Sequence, residues 1–138
     1  MPPYRFLDHT ADLRIEVEAD TLSGLFVEAA VALFDVIAGV DSIRVEEFRE
    51  VGASGEDLRE LLVDWLRELL YCFAGEGMVF SRFEIMTFSE TEIRARCGGE
   101  LFVQGRHQVK HDIKAVTYHG LEIEDHDGKL CVSVVFDI

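Results

Sequence analysis

The chain opens with a period-two pattern. Leu13, Ile15 and Val17 alternate with Asp12, Arg14, Glu16 and Glu18, as in a half-buried strand with one polar face. Thr21 then stands where a helix cap belongs. Leu22, Leu25, Phe26, Ala29, Leu33, Phe34 and Ile37 recur at helical spacing up to a stop at Gly39. Ile43, Val45, Phe48 and Val51 predict a second strand, broken by Gly52-Ala53-Ser54-Gly55, with Ser54 as the cap of a second helix. In that helix Leu58, Leu61, Leu62, Trp65, Leu66, Leu69 and Leu70 form one apolar stripe ending at Gly75 and Gly77. Glu60, Asp64, Arg67 and Glu68 lie off that stripe, so it reads as core and Trp65 as a core residue.

The remainder reads as strands. Met78–Phe88 and Thr91–Cys97 flank Ser89-Glu90, and Gly98-Gly99 closes the pair. Leu101–Lys110 is polar and irregular, and reads as a loop. Asp112–Tyr118 and Leu121–Glu124 flank His119-Gly120. Asp127-Gly128 suits a type I′ hairpin, whose two central positions need positive φ. A last strand starts at Leu130. Two helices among about seven strands, without regular βαβ alternation, predict an α+β fold. Its helices would pack on a mixed or antiparallel sheet.

Composition narrows the class. A chain of 138 residues, half of them hydrophobic, suits a single domain spanning 1–138 without disulfide or metal support. Cys72, Cys97 and Cys131 show no ligand spacing and read as reduced thiols. No apolar run reaches the roughly 18 residues of a membrane span, and the opening residues lack a signal-peptide pattern. A cytoplasmic location is the expectation. The net charge is −14, from 13 Lys+Arg against 27 Asp+Glu. Nucleic-acid binding relies on cations that neutralise phosphates, so stable direct binding of RNA or DNA is not expected. A basic protein surface or a metal ion suits such a chain better, and solubility alone is the plainer reading.

Asp137 shares the polar face of the last strand with Cys131, Ser133 and Val135, opposite Leu130, Val132, Val134, Phe136 and Ile138. Asp12 lies on the polar face of the first strand. If those strands are neighbours, two carboxylates and the α-carboxylate of Ile138 converge, a donor set for a hard divalent cation such as Ca²⁺. If they are not, both side chains are ordinary solvated carboxylates. His9 reads as a structural residue bonding the turn before the strand, rather than as a ligand. Lys114 and His119 read either as contacts for a phosphate or acidic partner, or as part of a protected edge strand.

The run Tyr4-Arg5-Phe6-Leu7-Asp8-His9-Thr10-Ala11-Asp12 resembles the opening signature of the archease family. The likeness continues from Thr21-Leu22 to Phe34, through Leu61–Leu70 and Lys114-Ala115-Val116-Thr117-Tyr118-His119, to Phe136-Asp137-Ile138. It thus covers essentially the whole chain. The resemblance implies a non-catalytic accessory protein of the GTP-dependent tRNA-splicing RNA ligase. Such a protein promotes ligase guanylylation and multiple turnover in tRNA splicing and RNA repair. It also implies a metal site at Asp12, Asp137 and Ile138, with Ca²⁺ as the expected ion. His9, Lys114 and His119 are then candidate partner or nucleotide contacts. Two rival readings are a metal-dependent phosphohydrolase or nuclease using Asp12, Asp137 and His9, and a general protein chaperone.

Overall fold

The computed structural model describes residues 12–118 and 120–138. His9 and His119 lie outside the described residues. The described elements are two helices and seven strands, with every strand pair antiparallel. In chain order they are β1 (Asp12–Ala19), α1 (Leu22–Ala38), β2 (Glu47–Ser54), α2 (Leu58–Glu76), β3 (Met78–Phe88), β4 (Glu92–Leu101), β5 (Ala115–Thr117), β6 (Ile123–His126) and β7 (Lys129–Asp137).

The strands divide into two sheets, which periodicity alone could not show. In the first, β7 lies between β1 on one side and both β5 and β6 on the other. In the second, β4 lies between β2 and β3. Both helices touch both sheets: α1 packs on β1, β7 and β3, and α2 on β2, β3, β4 and β5. Phe34 meets Phe80 and Phe83, and Trp65 meets Phe83, so the aromatic centre of the core lies between helices and second sheet.

Local chemistry explains the boundaries. The Thr21 hydroxyl accepts from Gly24 N–H at 3.0 Å and caps α1. α1 ends at Gly39, with φ 78°. α2 ends at Gly77 in the left-handed region, its N–H returning to the carbonyls of Cys72 and Phe73. Gly75, expected as a terminator, lies inside that last turn. The Asp127-Gly128 turn has φ 56° and 87°, as a type I′ hairpin requires.

Other expectations are corrected. The second strand starts at Glu47 rather than near Ile43, because a 3-10 turn at Val40–Ser42 takes up the preceding chain. That strand continues through Gly52 to Ser54, and Asp57, not Ser54, caps α2 by accepting from Glu60 N–H at 2.9 Å. Gly98 and Gly99 do not close a hairpin but sit inside β4. A Cβ on Gly99 would lie 1.9 Å from the Val79 carbonyl oxygen, so here glycine permits close strand approach. The expected strand over 112–118 is paired only at Ala115–Thr117, and the next is shifted to Ile123–His126.

Candidate metal centre

The pairing of β1 with β7 places Asp12 directly opposite Asp137. Residues opposite one another in an antiparallel pair project to the same face, with Cβ atoms about 4.5–5.5 Å apart. On β7 the neighbours Val134 and Phe136 turn into the core, which leaves Asp137 on the other face. Ile138 packs its side chain against the core cluster. The outer-face neighbour Val135 is buried yet lies outside that cluster.

Asp137 is held from both sides. Asp12 flanks it in β1 and Ala115 in β5, and its carbonyl accepts from Lys114 N–H at 2.7 Å. Thus Lys114 joins this end of the sheet through its main chain. Lys114 also lines a shallow cleft with Arg67, Leu70, Tyr71 and Ala74 of α2. Among the described residues neither Asp12 nor Asp137 has an ion pair. Like charges directly opposite one another in a sheet are destabilising. Bringing in a cation would relieve that.

The donor set fits a hard ion. Two carboxylates, with the carboxylate of Ile138 beside them in sequence, offer oxygen only, as Ca²⁺ or Mg²⁺ prefer. Among the described residues no three His, Cys, Asp or Glu side chains form a metal-binding group. A cation held here would therefore have only two side-chain ligands and would need main-chain or partner oxygens for the rest.

The sequence did not disclose a second polar cluster. Glu100 and His107 are buried, at 4% exposure each. The Glu100 carboxylate accepts from Arg44 N–H at 2.6 Å, from both terminal nitrogens of Arg106, and from His107 Nε2 at 2.9 Å. His107 Nδ1 accepts from Val103 N–H at 2.8 Å, so the ring proton sits on Nε2. The Arg106 guanidinium is the main cause that holds the Glu100 carboxyl down to about 2, against its burial. This clasp ties the 102–110 loop to β4. Its members are a strand carboxylate and two polar loop residues, a pattern with no periodic signal. Burial pushes the thiols of Cys72 and Cys97 up to about 11 and about 12, so they stay protonated at neutral pH.

The model of the Archease protein family (MTH1598/TM1083) matches residues 4–138. The chain belongs to the archease family. A protein archease of Methanopyrus kandleri is 41% identical, with 99% of each chain covered. One of Pyrococcus abyssi is 39% identical over the full length of both. The archease-like protein of Drosophila melanogaster is 37% identical over 87% of this chain and 79% of its own. Among solved structures, Methanobacterium thermoautotrophicum protein 1598 superposes with a TM-score of 0.76 at 31% identity, with 96% of each chain covered. An archease of Thermotoga maritima, described as a possible chaperone, shares the fold with a TM-score of 0.72 at 22% identity, covering 100% of this chain and 99% of its own. In this archease family member, no helix among the described residues is long and apolar enough to cross a membrane.

Proposed function

We propose that this archease family member is a metal-binding accessory protein of the GTP-dependent tRNA-splicing RNA ligase. It promotes guanylylation of the ligase and its repeated turnover, and it is not itself the catalyst. The observation that carries the reading is the pairing of Asp12 with Asp137 across β1 and β7. Two carboxylates at the end of a sheet, beside Ile138, form a projecting oxygen site for a divalent ion, with Ca²⁺ as the first candidate. When bound there, such an ion supplies positive charge and open coordination positions to a partner's oxygen ligand or a nucleotide phosphate. The chain's own part is to fix the two carboxylates on a three-strand frame and to anchor Ile138 in the core. The net charge of −14 supports a protein partner over direct RNA binding.

The test is a guanylylation assay of the cognate ligase with and without this protein. Wild-type protein should raise the rate. Asp12→Ala and Asp137→Ala should abolish the effect with unchanged far-UV circular dichroism, since neither residue belongs to the core. No stimulation by the wild type would overturn the reading. Turnover of RNA or nucleotides without ligase would favour the phosphohydrolase instead.

A further inference from the structure

On α2, Arg67, Leu70, Tyr71 and Ala74 recur at i, i+3, i+4 and i+7 and so form one face. With Lys114 and Ala115 they line a shallow cleft beside β5. Three observations set this face apart. First, it carries no carboxylate, on a chain with 27 Asp+Glu. The four acids of α2 lie elsewhere: Glu60 accepts from Glu56 N–H, Asp64 accepts from Ser54 N–H, Glu76 pairs with Arg49, and Glu68 lines a different cleft with Gly52 and Arg94. Second, among the described residues Arg67 and Lys114 have no ion-pair partner, whereas most other arginines do. Third, Tyr71 is 63% exposed and Tyr118 39%, the two most exposed aromatic side chains of the described residues.

The Arg67 cation is held in place rather than loose. One Arg67 nitrogen donates to the Val116 carbonyl at 3.1 Å, and the guanidinium lies 5.0 Å from the Tyr118 ring centroid. That carbonyl is neutral, so the charge remains uncompensated. The Tyr71 ring rests along Gly75, where a Cβ would lie 3.0 Å from it. An arginine fixed against one tyrosine and sharing its cleft with another is the composition enriched where binding energy concentrates at protein interfaces. The cleft is shallow and holds two cations, which suits a single carboxylate rather than a polyanion.

We infer that the Arg67–Tyr71–Lys114 cleft docks an acidic segment of a partner protein. That segment places one Asp or Glu carboxylate between Arg67 and Lys114 and an apolar side chain against Tyr71. The inference deepens the proposed function and rests on it, with the ligase as the partner. The geometry accommodates this, because Lys114 N–H is bonded to the Asp137 carbonyl. A partner seated in the cleft therefore reaches the sheet end that carries Asp12 and Asp137.

The experiment measures ligase affinity by interferometry and Ca²⁺ affinity by calorimetry for wild type, Arg67→Glu and Tyr71→Ser. Tyr71→Ser removes only an exposed ring, so it tests the cleft even if Arg67→Glu unfolds the chain. Each variant should weaken ligase binding at least about tenfold while leaving Ca²⁺ affinity unchanged. Wild-type ligase affinity in folded variants would overturn the docking assignment and leave the accessory role standing. A wild type that neither binds nor stimulates the ligase would overturn both. GTP or a short RNA binding the protein alone, and lost in Arg67→Glu, would make the cleft a nucleotide site and overturn the protein-partner assignment.

Discussion

The indole Nε1 of Trp65 donates to the main-chain carbonyl of Phe26 at 3.1 Å, and this buried bond fastens α2 to α1. Trp65 is fully buried. Its replacement removes both a large ring from the aromatic cluster and a link between the helices. Trp65→Ala should destabilise the fold by about 3–5 kcal/mol, read as a lower denaturant midpoint. A shift well below that, with loss of partner binding, would place Trp65 at an interface instead.

The opposed pair Asp12 and Asp137 predicts effects of opposite sign. Without divalent cation, Asp12→Asn should raise stability by roughly 0.2–1 kcal/mol, because it removes a like charge directly opposite another. With Ca²⁺ in excess the wild type should overtake it, since only the wild type keeps the full donor set. Thermal melts in chelator and in Ca²⁺ give both signs. Equal Ca²⁺ stabilisation of the two proteins would remove Asp12 from the site.

An extension beyond Ile138 replaces its carboxylate with a neutral amide. The side chain still anchors in the core, so the fold should survive while Ca²⁺ affinity falls. An extension before Met1 serves as the control, because residues 1–11 separate it from Asp12. Calorimetry on both forms decides: equal affinities would exclude the carboxylate of Ile138 as a ligand.

Acid should loosen the 102–110 loop first. The Glu100 carboxyl lies near 2 in the folded chain, below its ordinary 4.5, so its ionised form favours folding. That contribution is complete above about pH 4.5 and is lost as pH falls toward 2. Glu100→Gln should flatten this part of the stability profile. Glu100→Leu should cost about 1–3 kcal/mol at neutral pH, as the buried His107 Nε2–H loses its acceptor. Urea midpoints across a pH series measure both effects.

Neighbouring glycines should differ in tolerance. Gly99→Ala drives a Cβ into the backbone carbonyl of Val79 at 1.9 Å, which cannot yield without parting β3 from β4. A loss of about 3 kcal/mol or more is expected. The nearest atoms to a Cβ on Gly98 belong to the side chains of Phe48 and Val45. These can turn aside, so Gly98→Ala should cost less in the same denaturation assay.

The elements legible in the sequence are those fixed by near neighbours. Thr21, Gly39, Gly77 and Asp127-Gly128 act within a few residues of themselves, and each stands where its local chemistry requires. The stripe that includes Trp65 is likewise a local pattern. Gly98-Gly99 misleads because a glycine pair signals a turn locally, whereas the demand on Gly99 comes from the Val79 carbonyl in another strand. The pairing of Asp12 with Asp137 is conditional in the sequence on two distant strands meeting, and their register supplies that condition. The Glu100–Arg106–His107 clasp leaves no trace, because its geometry arises only when the loop folds back on β4. In the sequence Arg67 simply lies off an apolar stripe; which flank lacks acids is a tertiary property.

The central position of β7 has a consequence for synthesis. This strand is the last of the described elements to leave the ribosome, yet it is the one to which β1, β5 and β6 all pair. Its ladder with β1 joins residues more than a hundred positions apart. Until residues 129–137 emerge, the first sheet has no middle, and α1 has no wall on that side. Closure of the sheet is therefore a late event with a slow, long-range search. The nascent chain displays the apolar flank of α1 throughout that wait, a natural substrate for cellular folding assistants.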